Sequence, residues 1–136
     1  MKVVPIYIDA GISSFESPAT EYKDLDLSLD ELLITHPNAT FIGRANGTSL
    51  EGIGVFSGDL LIVDRAKEVK HGNLVVVNYN GTFCCKILDS NNRQLLSASP
   101  EHKPVNIQDD DSLQFEGVVS YSVRIHSTDS SFLCSH

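Results

Sequence analysis

One stretch of the sequence decides the fold: Leu74-Val75-Val76-Val77-Asn78-Tyr79-Asn80-Gly81-Thr82-Phe83-Cys84-Cys85-Lys86-Ile87-Leu88. It consists of two runs of mainly apolar, β-branched and aromatic residues on either side of the dipeptide Asn80-Gly81. Asn-Gly between two such runs specifies a β-hairpin with a type I′ turn, because both central turn residues need positive φ angles. We therefore expect a hairpin here, with strands over residues 74–79 and 82–88.

Most of the remaining sequence also has the character of strands. The additional predicted strands cover residues 40–45, 59–64, 94–98 and 115–125. The last of these alternates apolar and polar residues, which is the pattern of a strand with one buried face. The sequence therefore predicts a mainly β protein.

One short helix is predicted before these strands. Ser28-Leu29-Asp30-Glu31 has the pattern of a capping box, in which the Ser28 hydroxyl and the Glu31 carboxylate satisfy each other's backbone N–H groups. Pro37 ends the helix, since the residue before a proline avoids the helical conformation. Residues 1–27 lack sustained periodicity, so we expect an extended, mobile N-terminal arm. The predicted organisation is this arm followed by a single compact β domain over residues 28–136.

Composition excludes several functional classes. The chain has 136 residues, with 10 basic and 18 acidic side chains and a formal net charge of −8. This balance argues against direct binding of nucleic acid, which requires clustered Lys and Arg. No apolar run approaches the roughly 18 residues of a membrane span, and the N-terminus lacks the pattern of a secretory signal. We therefore expect a cytoplasmic protein with no membrane association.

No metal or cofactor site is expected. The three cysteines, Cys84, Cys85 and Cys134, include no C-x-x-C pair and suggest reduced thiols. The histidines are scattered along the chain without metal-ligand spacing. The run Asp109-Asp110-Asp111 favours a solvated loop, because consecutive residues rarely converge on one metal ion.

Ser49 and Lys86 are the candidate catalytic residues. A serine hydroxyl is a weak nucleophile until a base removes its proton, and a neutral lysine amine can act as that base. Free lysine has a pKa of about 10.4 and is charged at neutral pH, but burial in apolar surroundings favours the neutral amine. Lys86 has apolar neighbours, Cys84 and Leu88, on its own face of the predicted strand. This placement is unusual for a lysine and indicates a base that loses its charge.

The backbone before Ser49 has the features of an anion-binding turn. Asn46-Gly47 predicts a sharp bend, so the N–H groups of Thr48 and Ser49 are expected to be exposed and to form an oxyanion hole. Each catalytic candidate also has an ordinary interpretation. A serine after Asn-Gly is usually a turn residue, and a strand lysine is usually a solvated edge charge.

Several motifs, in order and spacing, resemble the LexA/UmuD family of self-cleaving serine/lysine peptidases. They are Ala45-Asn46-Gly47-Thr48-Ser49-Leu50, Gly58-Asp59-Leu60-Leu61-Ile62-Val63-Asp64, His71-Gly72-Asn73 and Gly81-Thr82-Phe83-Cys84-Cys85-Lys86. Similarity to the UmuD-type members covers nearly the whole chain. LexA-type repressors carry an N-terminal DNA-binding domain, and residues 1–27 are too few for one, so we expect that domain to be absent.

The resemblance implies the roles of the site residues. Ser49 would be the nucleophile, Lys86 the general base, and the bond between Ala10 and Gly11 the one that is cut. The 16 residues from Gly11 to Leu27 reach about 50 Å when extended. Cleavage within one chain and cleavage between dimer partners therefore both stay open.

The resemblance also implies a biological setting. Family members of this type act in the SOS response, where a RecA filament on single-stranded DNA stimulates self-cleavage. The shortened product would form a homodimer and join a UmuC-type subunit as part of an error-prone translesion DNA polymerase. Family members commonly have Asp, Met and Asp where this chain has Thr48, Leu50 and Asn73, and these departures leave the nucleophile and the base in place.

Three alternatives remain at the level of sequence. The first is a non-catalytic dimerisation and polymerase-accessory module. The second is the C-terminal domain of a LexA-like or phage repressor. The third is a type I signal peptidase, which shares the serine/lysine catalytic dyad but needs a membrane anchor that the sequence does not suggest.

Overall fold

The computed structural model describes Ala10, Gly11 and residues 28–127. The chain divides into two compact units, Met1–Thr35 and His36–His136. Apart from Ala10 and Gly11, the predicted extended arm over residues 1–27 lies outside the described residues. The boundary between arm and domain therefore stays a prediction.

The described part of the first unit contains one short helix, α1, at Leu29–Leu33. Ser28 is its N-cap, and its hydroxyl oxygen accepts a hydrogen bond from the Glu31 backbone N–H at 3.2 Å. The Ser28 hydroxyl in turn donates to the Glu31 carboxylate at 3.2 Å. The predicted helix start is confirmed, and the helix ends before Pro37, which itself opens a short 3₁₀ turn.

Over residues 36–127, the second unit holds an antiparallel sheet of seven strands. In chain order they are β1 (Thr40–Arg44), β2 (Leu60–Asp64), β3 (Leu74–Tyr79), β4 (Thr82–Asp89), β5 (Gln94–Leu96), β6 (Val105–Asn106) and β7 (Leu113–Val123). Their order across the sheet is β1-β2-β7-β3-β4-β5-β6, and every neighbouring pair is antiparallel. The predicted mainly β class with one short helix is confirmed.

The hairpin that decides the fold is formed as expected. Asn80 and Gly81 have φ angles of 51° and 87°, which are the positive values that a type I′ turn requires. The register continues from this turn, pairing Tyr79 with Thr82 and Val75 with Lys86. The hairpin places β4 beside the sheet centre and fixes which face each β4 side chain occupies.

The apolar residues form two buried clusters, one on each side of the sheet. Alternation along β3 sends Val75 and Val77 into the first cluster, while Leu74 and Val76 pack against the second. The first cluster is completed by Leu88, Leu95 and Val118, and the second by Leu50, Val55, Leu61 and Val63. A central strand that alternates between two cores explains why residues 74–77 are apolar without interruption.

Two strands, β5 and β7, differ from the sequence prediction by two residues at an end. The predicted strand 94–98 stops at Leu96, because Ala98 leaves the ladder and bonds instead to the backbone of Ser49 and Gly52. The predicted strand 115–125 begins at Leu113 and ends at Val123. The prediction missed β6, since its two residues are too few to show any periodicity.

Arg124, just after β7, ties that strand to the loop before β2. Its guanidinium donates to both carboxylate oxygens of Asp59, at 3.0 and 2.9 Å, and to the Gly54 carbonyl at 2.7 Å. It also stacks over the Phe56 ring, 4.2 Å from the ring centroid. Asp59 accepts a further hydrogen bond from the Phe56 N–H at 2.8 Å and is buried. These contacts form the Asp59–Arg124 clamp, which holds together the loop over residues 54–59 that follows the Ser49 segment.

The Arg124–Asp59 pair predicts a specific acid sensitivity. The hydrogen bond from Arg124 holds the pKa of Asp59 below its ordinary value of 3.8, against the opposing effect of burial. The carboxylate therefore contributes stability above its unfolded pKa, and this contribution is lost as the pH falls through the lower folded value. We expect Asp59→Asn to lower the free energy of unfolding at pH 7 by about 1–3 kcal/mol.

Denaturant unfolding followed between pH 7 and pH 3 measures this effect. The difference between the parent chain and Asp59→Asn should shrink as the pH falls. Asp109→Asn is the control, since Asp109 is an exposed partner of Arg93 and should change stability little. A stability difference for Asp59→Asn that stays constant down to pH 3 would rule out the paired carboxylate as its source.

Candidate active site

The segment that carries Ser49 leaves the sheet at the end of β1. Gly47 has a φ angle of 102°, a left-handed conformation that bends the chain directly before Thr48 and Ser49. Leu50 follows and is buried in the second apolar cluster, which anchors the segment to the core. Ser49 itself is half-buried. The predicted turn is therefore present, and it presents the serine from an anchored loop.

The backbone around Ser49 has its carbonyl groups occupied and its amide groups available. The Thr48 carbonyl accepts from the Glu51 N–H at 3.2 Å, and the Ser49 carbonyl accepts from the Ala98 N–H at 2.6 Å. Among the described residues, the N–H groups of Thr48 and Ser49 have no hydrogen-bond acceptor. Two adjacent unsatisfied donors beside a serine hydroxyl are the arrangement that an oxyanion requires.

Lys86 lies on β4, half-buried, on the side of the strand predicted from the sequence. It pairs with Val75, and Cys84 lies on the same face as a contact of the first apolar cluster. Its ammonium nitrogen donates to the Ser97 hydroxyl at 2.8 Å. Within the described ranges, no hydrogen bond joins Lys86 to Ser49 and no carboxylate pairs with Lys86. In an unliganded site, catalytic hydrogen bonds often form only when the substrate is present.

Ser49 and Lys86 line the same cavity, which has a volume of about 490 Å³. Its wall consists of residues 43–50 and 83–86 together with Phe41, Val55, Leu61, Val63, Val76 and His102. Thr48 is also part of this wall. The structure therefore places Ser49, Lys86 and Thr48, which the sequence singled out, in the wall of one cavity.

The charges around the cavity are of one sign. Its lining includes the cations Lys86 and Arg44 and, in the part of the chain that the structure describes, no aspartate or glutamate. Burial raises the pKa of the Cys85 thiol to about 12, with Cys84 adding to the rise and Lys86 opposing it. Burial likewise raises the pKa of Cys84 against the effect of Lys86. Both thiols are thus neutral at pH 7.

Ala98 links the two sides of the site. Its N–H donates to the Ser49 carbonyl, and its own carbonyl accepts from the Gly52 N–H at 2.7 Å. Gly52 is required by this close approach, because a Cβ at that position would lie 2.3 Å from the Ala98 carbonyl oxygen. The neighbouring residue, Ser97, holds Lys86. Residues 97–98 therefore connect the Ser49 loop, through the Ala98 backbone, to β4, through the Ser97 side chain.

The remaining sequence candidates lie elsewhere. Ala10 and Gly11, the predicted cleavage site, belong to the first unit and are both exposed. His36 Nδ1 lies 2.6 Å from the buried carboxylate of Asp64. In the described residues, no group of three or more His, Cys, Asp or Glu side chains is placed to hold a metal ion. No helix in the described part of the chain is long and apolar enough to cross a membrane.

Two residues of the site were missed by sequence reasoning. Ser97 falls inside the predicted strand 94–98 and His102 is one of the scattered histidines, yet the first bonds to Lys86 and the second lines the cavity. The register of the β4–β5 pairing would have revealed Ser97, because Ile87 pairs with Leu96 and the next pair outward is Lys86 with Ser97. No local signal in the sequence marks His102.

Comparison with known proteins identifies the family. Residues 3–120 match the family model described as Peptidase S24-like. The chain belongs to this family. It is 40% identical over 104 residues to the protein ImpA of Escherichia coli, covering 76% of this chain and 68% of that one. It is 34% identical over 125 residues to the protein MucA of Escherichia coli, covering 90% of this chain and 86% of that one.

More distant similarity extends to the repressors of the family. The LexA repressor of Bordetella avium is 26% identical over 111 residues, covering 80% of this chain and 52% of the repressor. The resemblance to the LexA/UmuD family is therefore confirmed. The chain is a peptidase of the LexA/UmuD type.

The Ala98 link yields a prediction for Gly52→Ala. The added Cβ would collide with the Ala98 backbone, so the two hydrogen bonds of Ala98 should lengthen or break. We expect a loss of about 1–3 kcal/mol in the free energy of unfolding, together with faster amide exchange at Gly52 and Ala98. Denaturant unfolding and amide hydrogen exchange measure the two effects.

Gly43→Ala is the matched control, since a Cβ there would meet no atom within 4 Å. Its stability and its exchange rates at residues 52 and 98 should match those of the parent chain. Unchanged exchange at Ala98 in Gly52→Ala would show that the link does not hold the Ser49 loop.

Proposed function

We propose that the chain is a self-cleaving serine peptidase that cuts its own Ala10–Gly11 bond with Ser49 as nucleophile and Lys86 as general base. The observation that carries the proposal is that Ser49 and Lys86 line one cavity whose wall contains no carboxylate in the described residues. Family membership supports peptidase activity of this type. The exposure of Ala10 and Gly11 supports their access to an active site.

The chemistry begins with transfer of a proton. The neutral Lys86 amine takes the proton of the Ser49 hydroxyl as Oγ attacks the carbonyl carbon of Ala10. The carbonyl oxygen becomes an oxyanion that accepts hydrogen bonds from the Thr48 and Ser49 N–H groups. This intermediate collapses when the Lys86 ammonium returns its proton to the leaving nitrogen of Gly11, which breaks the peptide bond.

Hydrolysis then releases the first product. Lys86, neutral again, takes a proton from water as the water oxygen attacks the ester carbonyl on Ser49. Collapse of the second intermediate returns the proton to Ser49 Oγ and frees a carboxylate on Ala10. The products are residues 1–10 and a shortened chain that begins at Gly11.

A small residue before the cut bond and a glycine after it suit the cavity. Alanine lets the backbone approach the nucleophile closely, and glycine permits the bend that a docked strand requires. The apolar part of the wall, including Leu61, Val63 and Val76, matches an uncharged segment such as Ala10-Gly11-Ile12.

The proposed setting is the SOS response in the cytoplasm. A RecA filament on single-stranded DNA would favour the conformer in which the cleavage segment is docked, shifting a population rather than adding a catalytic group. The shortened product would act as a homodimer and bind a UmuC-type subunit of an error-prone translesion polymerase. The net charge of −8 is consistent with binding of protein partners rather than DNA itself.

Replacement of either catalytic residue tests the central step. Purified full-length chain, incubated with RecA filaments on single-stranded DNA, should lose its first ten residues, as measured by intact mass spectrometry. Ser49→Ala and Lys86→Ala should each reduce the rate by about 10³-fold or more, because nucleophile and base act as a unit.

Ser90→Ala and Lys70→Ala are the controls, since both residues are exposed and outside the cavity. Both should cleave at the parent rate. A parent chain that stays intact would favour the non-catalytic accessory module instead, and cleavage that survives in Ser49→Ala would exclude Ser49 as nucleophile.

The lysine base also predicts a pH dependence without RecA. The rate should rise with pH while the protein stays folded, because a larger fraction of the Lys86 amine is then neutral and able to accept a proton. Cleavage measured at a series of pH values from 7 to about 10 would test this, with circular dichroism confirming the fold at each value. A flat rate across that range would contradict a lysine base.

A further inference from the structure

We infer that Ser97 is a positioning residue that orients the Lys86 amine toward Ser49. This inference rests on the proposed function and adds a third side chain to the site. Ser97 touches the base rather than the substrate, so its role is to hold Lys86 and not to react. The starting observation is the 2.8 Å hydrogen bond from Lys86 Nζ to Ser97 Oγ.

The contact is built into the sheet rather than made by a chance rotamer. β4 and β5 pair Ile87 with Leu96, so in an antiparallel ladder the next opposite pair is Lys86 and Ser97. Directly opposite residues project from the same face of the sheet, with their Cβ atoms close together. The backbone therefore delivers the Ser97 hydroxyl to the lysine side chain, although the ladder itself ends at Leu96.

The same backbone stretch fixes the nucleophile. Ala98, directly after Ser97, donates to the Ser49 carbonyl at 2.6 Å and accepts from Gly52 at 2.7 Å. A shift of residues 97–98 would therefore move both Ser97, the hydrogen-bond partner of Lys86, and the loop that carries Ser49. Ser97 and Ala98 therefore hold Lys86 and the Ser49 loop in a fixed relative position.

The chemistry explains why a lysine base needs such a partner. A neutral amine has one lone pair and two N–H groups, and its four-carbon stem rotates freely unless it is held. An acceptor that engages one N–H restricts the rotation, which leaves the lone pair directed at the Ser49 hydroxyl. After proton transfer the ammonium keeps an N–H on Ser97, so the bond persists while the charge forms.

Other groups near Lys86 do not replace this hydroxyl. Cys84 and Cys85 on its own strand are neutral thiols and weak acceptors. Arg44 and His102 share the cavity, but neither forms a hydrogen bond with Lys86 in the described residues. Ser97 is thus the polar partner that the fold assigns to the base.

A pair of isosteric variants tests the inference. Ser97→Thr keeps the hydroxyl and Ser97→Val replaces it with a methyl group of similar volume. Self-cleavage should fall by about 10–100-fold in Ser97→Val and in Ser97→Ala, as expected for a misplaced base. Ser97→Thr should stay within about 3-fold of the parent chain. Thermal unfolding of all variants shows whether the fold is retained.

The pH profile separates orientation from a general structural effect. If Ser97 orients the amine, the deficit of Ser97→Val should persist on the alkaline side of the profile. A Ser97→Val rate that matches Ser97→Thr at every pH would overturn the inference, and so would a deficit that vanishes at high pH.

The controls distinguish this inference from the function on which it rests. If Ser49→Ala and Lys86→Ala lose cleavage while Ser97→Val cleaves at the parent rate, the positioning role of Ser97 is ruled out. The proposed roles of Ser49 and Lys86 then stand. Cleavage that survives in Ser49→Ala but is abolished in Ser97→Ala would make Ser97 the nucleophile and overturn both. A parent chain that never cleaves would also overturn both.

Discussion

The hydrogen bonds of Ala98 to Ser49 and Gly52 are the constraint on which the site depends. Ser49 lies in a loop between β1 and β2, while Lys86 lies on β4, and these strands are separated in the sheet by β7 and β3. Residues 97–98 bond to both, through the Ala98 backbone to the Ser49 loop and through the Ser97 side chain to Lys86.

Charge is the second constraint. A lysine serves as a base only when its amine is neutral, and the described wall of the cavity offers Lys86 no carboxylate partner. The two thiols beside Lys86 are kept neutral by burial, and the described lining has cations but no carboxylates. The acidic side chains of the described residues lie outside this wall, as in the Asp59–Arg124 clamp and the Asp64–His36 pair. A protein with net charge −8 therefore has an active-site wall without an acidic residue in the described part of the chain.

Much of the fold could be predicted because turn residues and apolar alternation within short segments specify it. Asn80-Gly81 specified the central hairpin, and the alternation from Thr82 to Leu88 placed Lys86 on the correct face. The candidate pair Ser49 and Lys86 followed from motif spacing. Ala98 could not be assigned in this way, since its role depends on where a loop 46 or more residues earlier in the chain returns to the sheet. Ser97 required the register of the β4–β5 pairing, which local sequence does not give. The short strand β6 was missed for a related reason, because it forms only through pairing with β5.

The central claim is that Ser49 is the nucleophile in the cavity. Lys86 acts as its general base, and the Thr48 and Ser49 amides bind the oxyanion. The most direct measurement is a crystal structure of the protein with a peptide boronic acid that carries alanine at its reactive end, in the position of Ala10. The account predicts a bond from boron to Ser49 Oγ, a boron-bound oxygen accepting from the Thr48 and Ser49 N–H groups, and Lys86 beside Oγ with its contact to Ser97 retained. Boron bonded to Ser97, or a peptide bound outside the cavity, would contradict it.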